Sequence, residues 1–243
     1  MKVKRLIPAV AMLLVSAMLL GTSTFAWFSM SRDVTATDME ITAKSDAIFL
    51  MIQGADDAAM GTEGSAGVTQ AVYPVHHESW DDVADIEDMD MAVADTYDNW
   101  YYRYSDDPAS YNSNMTAKAY IDNTTDLFTD YVLKTSFDVQ LKANSQPTGY
   151  DLWVSSITIP ANKGIVVVVA GPDGYQEFSS SATPAFNAAN VISDTVTAAS
   201  ATTIYVYIYI NGDDTNVYTN NATNLGGEVE FVLSAFQSDN SFS

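Results

Sequence analysis

The sequence predicts an all-β protein: a jelly-roll-like antiparallel β-sandwich with one acidic insertion, preceded by a signal-peptide helix. Short segments with period-two alternation of apolar and polar residues recur along the chain, as is typical of strands with one buried face. Glycine- and proline-containing turn sequences separate these segments. Helical periodicity is nearly absent after the first 26 residues. Together these features favour a single sandwich domain over residues 27–243.

The N-terminus reads as an export signal rather than as part of the fold. Lys2, Lys4 and Arg5 precede a mostly apolar run from Leu6 to Leu20. A small-residue stretch then ends at Ala26, which is the pattern of a signal peptide over residues 1–26, cleaved between Ala26 and Trp27. The alternative is that this segment stays uncleaved as a membrane anchor, and it is the only route to a membrane that the sequence offers.

The first strand of the mature chain is expected at about residues 33–43, where Met39, Ile41 and Ala43 alternate with polar residues. A continuous apolar run from Ile48 to Ile52 predicts a buried strand directly after it. Residues 54–70 are rich in small and polar residues and are interpreted as a loop.

Residues 78–107 differ most from the rest of the chain, with eleven acidic residues and Arg103 as the one basic residue. Few β-branched residues occur there, so this segment is expected to be an insertion rather than a core strand.

Strand patterns return after about residue 130. Four further segments and a final strand are predicted, with loops or a short helix between them: Tyr131–Leu141, Asp151–Ile159, Ile165–Ala170, Ile204–Ile210 and Gly227–Phe236. The run Ile165–Ala170 ends at the turn sequence Gly171-Pro172-Asp173-Gly174.

Composition excludes several classes of function. The chain has no cysteine and only two histidines, so disulfides, thiolate metal sites and a cysteine nucleophile are impossible. A net charge of −21 argues against nucleic acid as a partner, since phosphate binding needs a basic surface. Removal of residues 1–26 takes away three basic and no acidic residues, which leaves a mature chain of charge −24.

Candidate metal ligands are few. His76 and His77 precede Glu78 and Asp81, but the His-Glu-x-x-His spacing of zinc proteases is missing, so two ordinary loop histidines are the better interpretation. No cofactor is expected, except that calcium is conceivable at Asp85, Asp88 and Asp90 in the acidic insertion, where clustered carboxylates offer oxygen ligands. A solvated acidic loop is the alternative, and the Asp213-Asp214 turn is a weaker calcium candidate.

Two aromatic segments are candidates for contacts with a ligand or a partner. Trp100, Tyr101, Tyr102 and Tyr104 lie close together in the sequence and, if exposed, would stack on sugar rings; if buried, they form a strand that caps the sandwich. Tyr205, Tyr207 and Tyr209 share one face of a predicted strand, which is either a surface between subunits or an ordinary outer face.

The segment Gly21-Thr22-Ser23-Thr24-Phe25-Ala26-Trp27-Phe28-Ser29 resembles the start of the TasA/camelysin group of exported Gram-positive proteins. Val34-Thr35-Ala36-Thr37-Asp38-Met39 is similar to uncharacterised Clostridia proteins that share this start. The resemblance implies processing by a SipW-type signal peptidase and secretion to the cell surface or extracellular matrix. It also implies a jelly-roll-like sandwich whose subunits join by donating an N-terminal strand to the next subunit.

This resemblance places the candidate donor strand within residues 27–45, with Val34, Ala36, Met39 and Ile41 as the donor side chains, in a register that the sequence leaves open. The metalloprotease activity described for camelysin does not carry over, because the zinc motif is missing. The acidic insertion matches no pattern of the group.

The expected function is therefore a secreted, non-enzymatic structural subunit that forms a homopolymer in surface or biofilm-matrix filaments. The alternative is a cell-surface module that binds glycan or protein through residues 99–104, with calcium as an optional ligand. A secreted hydrolase with a pair of acidic residues is a third and less favoured interpretation, since no catalytic motif is present.

Overall fold

The computed structural model describes residues 34–45, 50–77, 92–93, 96–102, 120–122, 128–143, 150–161, 164–214, 217 and 227–236. These residues form fourteen strands: β1 (Val34–Ser45), β2 (Leu50–Gly54), β3 (Glu63–Val72), β4 (Val75–His77), β5 (Ala92–Val93), β6 (Thr96–Tyr102), β7 (Tyr120–Asp122), β8 (Val132–Leu141), β9 (Tyr150–Thr158), β10 (Ile165–Ala170), β11 (Tyr175–Phe178), β12 (Ser193–Val196), β13 (Thr202–Ile210) and β14 (Val229–Phe236). Single 3₁₀ turns occur at Phe128–Asp130 and Ala188–Asn190. The all-β sandwich predicted from the alternation is confirmed.

The predicted signal peptide, residues 1–26, and its cleavage point at Ala26 and Trp27 lie outside the described residues. In the part of the chain that is described, no helix is long and apolar enough to cross a membrane.

The first sheet has the strand order β12-β9-β14-β1-β3. Most neighbours are antiparallel, but β1 runs parallel to β14, with Ile41 opposite Val229 and Ser45 opposite Leu233. This pair departs from the purely antiparallel arrangement that the sequence predicts. Alternation of polar and apolar residues determines which face of a strand is buried and carries no information about the direction of its neighbour.

The second sheet has the order β11-β10-β13-β8-β2, and all of its pairs are antiparallel. The inward faces of the two sheets form the main core, which includes Ile41, Leu50, Phe137, Leu152, Val167, Ile208 and Phe231. The loop predicted over residues 54–70 is only partly a loop, because β3 begins at Glu63 and pairs along β1.

A small third sheet has the order β4-β6-β5, with β7 also paired to β6. A second hydrophobic core includes Val75, Trp100, Phe128, Val166, Val168, Tyr207 and Tyr209, and so joins residues of the small sheet to residues of β10 and β13. The part of the outer face of the second sheet that carries Val166, Val168, Tyr207 and Tyr209 is therefore covered by the chain itself. Part of the acidic segment 78–107 takes part in this cover as β5 and β6 rather than looping away from the fold.

The second core explains the sequence of β10, in which every residue from Ile165 to Ala170 is buried. Val167 and Val169 belong to the main core, whereas Val166 and Val168 belong to the second core. A strand covered on both faces reads as a continuous apolar run, because neither face is selected for contact with water.

The tyrosines of β13 have different environments. Tyr207 and Tyr209 are buried in the second core, and Tyr205 is 41% exposed. Of the three, Tyr205 alone has the exposure expected of an outer-face or interface residue. Tyr207 and Tyr209 form neither a surface between subunits nor a solvent-exposed outer face.

Candidate assembly site around the first strand

The predicted donor residues all lie in β1, between the last strand of the chain and β3. Val34, Ala36, Met39 and Ile41 are paired with Val72, Gln70, Val68 and Ala66 of β3, respectively. The register shifts between Ala36 and Met39, which marks a β-bulge. The structure thus gives the register of this strand within one chain, which the sequence left open.

The inward side chains of the second half of β1 fill the centre of the first sheet. Ile41 and Ala43 are at most 1% exposed, and their partners Val229 and Phe231 on β14 are fully buried. The ring of Phe231 meets Phe137 of the second sheet edge-on, with 5.5 Å between centroids. Removal of β1 would therefore open an apolar groove between β3 and β14.

The two halves of β1 are paired differently. Pairing with β14 begins at Ile41, whereas pairing with β3 extends back to Val34. Among the described strands, the first half of β1 thus has a ladder on one side only. The second half has ladders on both sides and accounts for most of the attachment.

The carboxylate of Asp57 accepts hydrogen bonds next to β3, on one side of this groove. Gly54 N–H and Ser65 N–H donate to Asp57 Oδ2 at 2.7 and 2.9 Å, and Ser65 Oγ donates to Oδ1 at 3.0 Å. These bonds hold the pKa of Asp57 below its ordinary value, and the two from backbone N–H groups lower it most. Asp57 therefore ties β2 to the edge of β3 that faces away from β1.

The tie between β2 and β3 is tight enough to require glycine. A Cβ atom on Gly54 would lie 2.1 Å from the carbonyl oxygen of Ser65. Gly67 N–H donates to the neighbouring carboxylate of Asp56, which covers a second outward backbone group of β3. β2 and β3 belong to different sheets, so the bonds of Asp57 join the two sheets at this point.

The opposite edge of the first sheet is covered by side chains and by a short bridge. Beyond the end of β12, Gln176 Oε1 accepts from Val154 N–H at 2.6 Å. Ala182 and Ile157 exchange two backbone hydrogen bonds, and Ser181 Oγ accepts from Ile159 N–H at 2.9 Å. Covering the outer edge of β9 in this way blocks uncontrolled pairing with another chain.

His76 and Asp213, which the sequence analysis considered separately, are brought together by the fold. His76 Nδ1 lies against Asp213 Oδ2, and Gly212 N–H donates to Val75 O at 2.8 Å. His77 instead meets Trp100, with ring centroids 4.7 Å apart. In the described ranges no group of three or more His, Asp or Glu side chains lies in a position to hold a metal ion. The candidate calcium ligands Asp85, Asp88 and Asp90 lie outside these ranges.

The structure contradicts the expectation that Trp100 stacks on a sugar ring. Its side chain is fully buried and packs edge-on against Phe128 and Tyr209, at 5.7 and 5.1 Å between centroids. A buried indole has no free face for a sugar, so the strand-capping alternative applies to Trp100. The side chains of Tyr101 and Tyr102, and all of Tyr104, lie outside what the structure describes.

An aromatic cluster that sequence reasoning missed lies on the outer face of the first sheet. Phe186 packs against Trp153 of β9 and Phe236 of β14, with both centroid distances at 4.9 Å. Phe186 is 39% exposed and Phe236 is 42% exposed. In the sequence, Phe236 shares its face of β14 with Glu230, Val232 and Ser234, so one further apolar residue there is a weak signal. Phe186 belongs to a connection whose path alternation does not predict.

No family model, curated protein or solved structure matches this chain.

Proposed function

We propose that the protein is an exported structural subunit that assembles into filaments by passing β1 from each subunit to the next. One observation carries the proposal. The first described strand, β1, lies inside a five-stranded sheet, between β3 and the last described strand, β14, rather than at an edge. A central strand at one end of the chain can be supplied by a second copy without any change in the contacts that it makes.

The connection that leaves β1 favours such an exchange. Residues 46–49 join Ser45 in the first sheet to Leu50 in the second sheet. This connection is only four residues long, and short connections between strands promote strand exchange between copies. In the exchanged form Ile41 and Ala43 would fill the groove of the neighbour with the same burial that they have in one chain.

Head-to-tail exchange yields a filament rather than a closed dimer. Each subunit would give its β1 to one neighbour and receive β1 from the other, so donor and acceptor surfaces differ. Such heterologous contacts form open filaments unless the rotation between subunits happens to close a ring. The covered outer edge of β9 would limit sideways association of these filaments.

Export is part of the proposal and rests on the sequence of residues 1–26. Cleavage between Ala26 and Trp27 would leave seven residues before Val34, so no leader would stand in the way of exchange. The N-terminal sequence of the protein in culture medium tests this step directly. A start at Trp27 is expected, and retention of residues 1–26 in the released protein would contradict it.

A pair of introduced cysteines tests the exchange itself. Lys44 of β1 lies opposite Glu63 of β3, and the chain contains no cysteine of its own. Oxidation of monomeric Lys44→Cys/Glu63→Cys protein would lock β1 into its own subunit, and negative-stain electron microscopy should then show no filaments. Reduction should restore assembly.

The same variant reports on the filament in the opposite direction. When reduced protein is first assembled and then oxidised, exchanged strands would give a ladder of covalent multimers on a non-reducing gel. The matched control is Asp138→Cys/Thr203→Cys, a cross-strand pair in the second sheet that never leaves its subunit. Its oxidation should leave assembly unchanged and yield only monomers, and a monomer band alone from oxidised Lys44→Cys/Glu63→Cys filaments would overturn the proposal.

A further inference from the structure

The aromatic cluster of Trp153, Phe186 and Phe236 lies at the end of the first sheet where β1 ends. Ser45 pairs with Leu233, and Phe236 follows three residues later on the adjacent strand. With strands about 4.8 Å apart and a rise of about 3.3 Å per residue, the Cα atoms of Ser45 and Phe236 are about 11 Å apart. Exposed aromatic rings therefore lie close to the point at which the chain leaves this sheet.

The length of the connection limits where the body of a donor subunit can be. In an exchanged pair, Ser45 of the donor lies in the groove of the acceptor, and Leu50 belongs to the donor's own second sheet. Five peptide units join these residues and span at most about 18 Å. The donor's body must therefore lie against the same end of the acceptor that carries the aromatic cluster.

We propose that this aromatic cluster is the second contact between neighbouring subunits in the filament, and that its occupant is the body of the subunit that donates β1. The inference rests on the proposed strand exchange and adds a surface to it. Strand pairing alone leaves two bodies joined by a four-residue connection, whereas a packed aromatic contact would hold them in one orientation.

The chemistry of the cluster suits this role. Phe186 and Phe236 expose rings next to each other on a subunit whose charge is −24 once residues 1–26 are removed, so their burial would offset part of the repulsion between copies. Rigid aromatic side chains bury a large area at a small cost in side-chain entropy, which is why they are enriched at the centres of interfaces.

Substitution of the two exposed rings tests the contact. Phe186→Ser/Phe236→Ser should raise the lowest protein concentration at which filaments form by about tenfold or more, the effect of about 1.4 kcal/mol of lost contact. The matched control is Tyr205→Ser, which removes an equally exposed ring from the other sheet. Tyr205 pairs with Ser136 on β8, far along that strand from Leu141, the residue opposite Leu50, and its loss should leave this concentration unchanged.

A spectroscopic probe gives a second readout that does not depend on how much filament forms. Phe236→Cys, labelled with an environment-sensitive dye on its single thiol, should shift to shorter emission wavelengths on assembly, and labelled Tyr205→Cys should not. Both variants must first give the circular dichroism spectrum and melting temperature of the folded parent. An equal onset concentration for the two serine variants, or no shift at Phe236→Cys, would overturn the contact.

The possible outcomes distinguish failure of the aromatic contact from failure of the strand exchange on which it rests. If Phe186→Ser/Phe236→Ser fails to form long filaments but still gives covalent dimers through the introduced Lys44→Cys/Glu63→Cys pair, strand exchange stands and the aromatic contact is supported. If assembled and oxidised Lys44→Cys/Glu63→Cys protein with both phenylalanines intact forms no covalent multimers, the proposed function fails. If the parent then binds a soluble polysaccharide and loses that binding in the double variant, the cluster is a ligand site and not a contact between subunits.

Discussion

Ile41 in the first strand lies opposite Val229 in the last strand, and the two strands run parallel. This contact joins the two ends of the described chain in the middle of one sheet. Contacts between residues so far apart in sequence require closure of a long loop before they contribute any stability. The groove of β14 and β3 is therefore expected to stay open late in folding, when a strand from another copy can enter it.

Truncation of Ile41 should weaken the attachment of β1. Ile41→Ala is expected to lower the free energy of unfolding by about 2–5 kcal/mol, because it removes buried methyl groups and leaves a cavity between the sheets. Chemical denaturation of the monomer measures this change. Thr42→Val is the control on the partly exposed face of the same strand and should change stability by about 0.5 kcal/mol or less.

The hydrogen bonds of Asp57 should make the link between β2 and β3 sensitive to acid. Its pKa is lower in the folded chain than in the unfolded chain, so its contribution is present above the unfolded pKa of about 3.9 and is lost as the pH falls towards the folded value. Asp57→Ala should therefore destabilise the protein at pH 7, by about 1–3 kcal/mol for the unsatisfied donors that it leaves. Urea unfolding at pH 7 and pH 3 should show that the difference from the parent shrinks at low pH.

Glu63→Gln serves as the control for the loss of one negative charge, since Glu63 is an exposed acidic residue of β3. Its free energy of unfolding at pH 7 should lie within about 0.5 kcal/mol of that of the parent. An Asp57→Ala effect that stays constant from pH 7 to pH 3 would contradict the role assigned to the charged carboxylate.

Asp194 should have the opposite dependence on pH. The negative charge of Asp173 is the largest cause that raises its pKa, followed by burial. The folded chain therefore holds this proton more tightly than the unfolded chain, and the repulsion costs stability at pH values above the folded pKa. Asp194→Asn should stabilise the protein at pH 7 by a few tenths of a kcal/mol, because water and salt screen exposed carboxylates.

Thermal unfolding at pH 7 and pH 4, each at low and high salt, measures this gain. It should be largest at pH 7 and low salt and should shrink as the pH falls or the salt rises. Destabilisation of Asp194→Asn at neutral pH would show that its carboxylate has a favourable partner that outweighs Asp173.

Much of the fold follows from local pattern, whereas the partners of β1 do not. Alternation in β8 and β13 identifies strands and their buried faces, and the run in β10 predicts a strand without showing that a second core covers its outer face. The parallel pairing of Ile41 with Val229 depends on topology. The sequence favours burial of the segment around Trp100 over a sugar platform, but composition alone does not show which residues would cover the ring.

The aromatic cluster was missed for a similar reason. Trp153 and Phe236 lie on adjacent strands, but Phe186 reaches them from a connection of small and polar residues. No periodicity applies to such a connection, so its path over the sheet is visible only in three dimensions.

Trp100 provides a test of the small sheet as a structural cover. Trp100→Ala should cost about 3–5 kcal/mol, because the ring fills the space between His77, Phe128 and Tyr209. Limited proteolysis should then cut first within residues 75–102, while the sandwich resists longer. Trp100→Phe keeps an aromatic ring and should recover most of the resistance, and a Trp100→Ala protein as resistant as the parent would show that the cover does not depend on this side chain.

Net charge should control the assembly that we propose. Subunits of charge −24 repel one another, and the Debye length falls from about 30 Å at 0.01 M ionic strength to about 8 Å at 0.15 M. The onset concentration for filaments, read by light scattering and checked by electron microscopy, should therefore fall as sodium chloride is added.

Calcium chloride at the same ionic strength separates screening from binding: an equal effect indicates screening, whereas a stronger effect that a chelator reverses indicates bound calcium. The backbone hydrogen bonds between exchanged strands are uncharged, so screening should act on the approach of subunits. The yield of covalent multimers per filament from Lys44→Cys/Glu63→Cys protein should therefore stay unchanged. Assembly that is fastest at low salt and indifferent to chelation would show that repulsion between these acidic bodies is not what limits it.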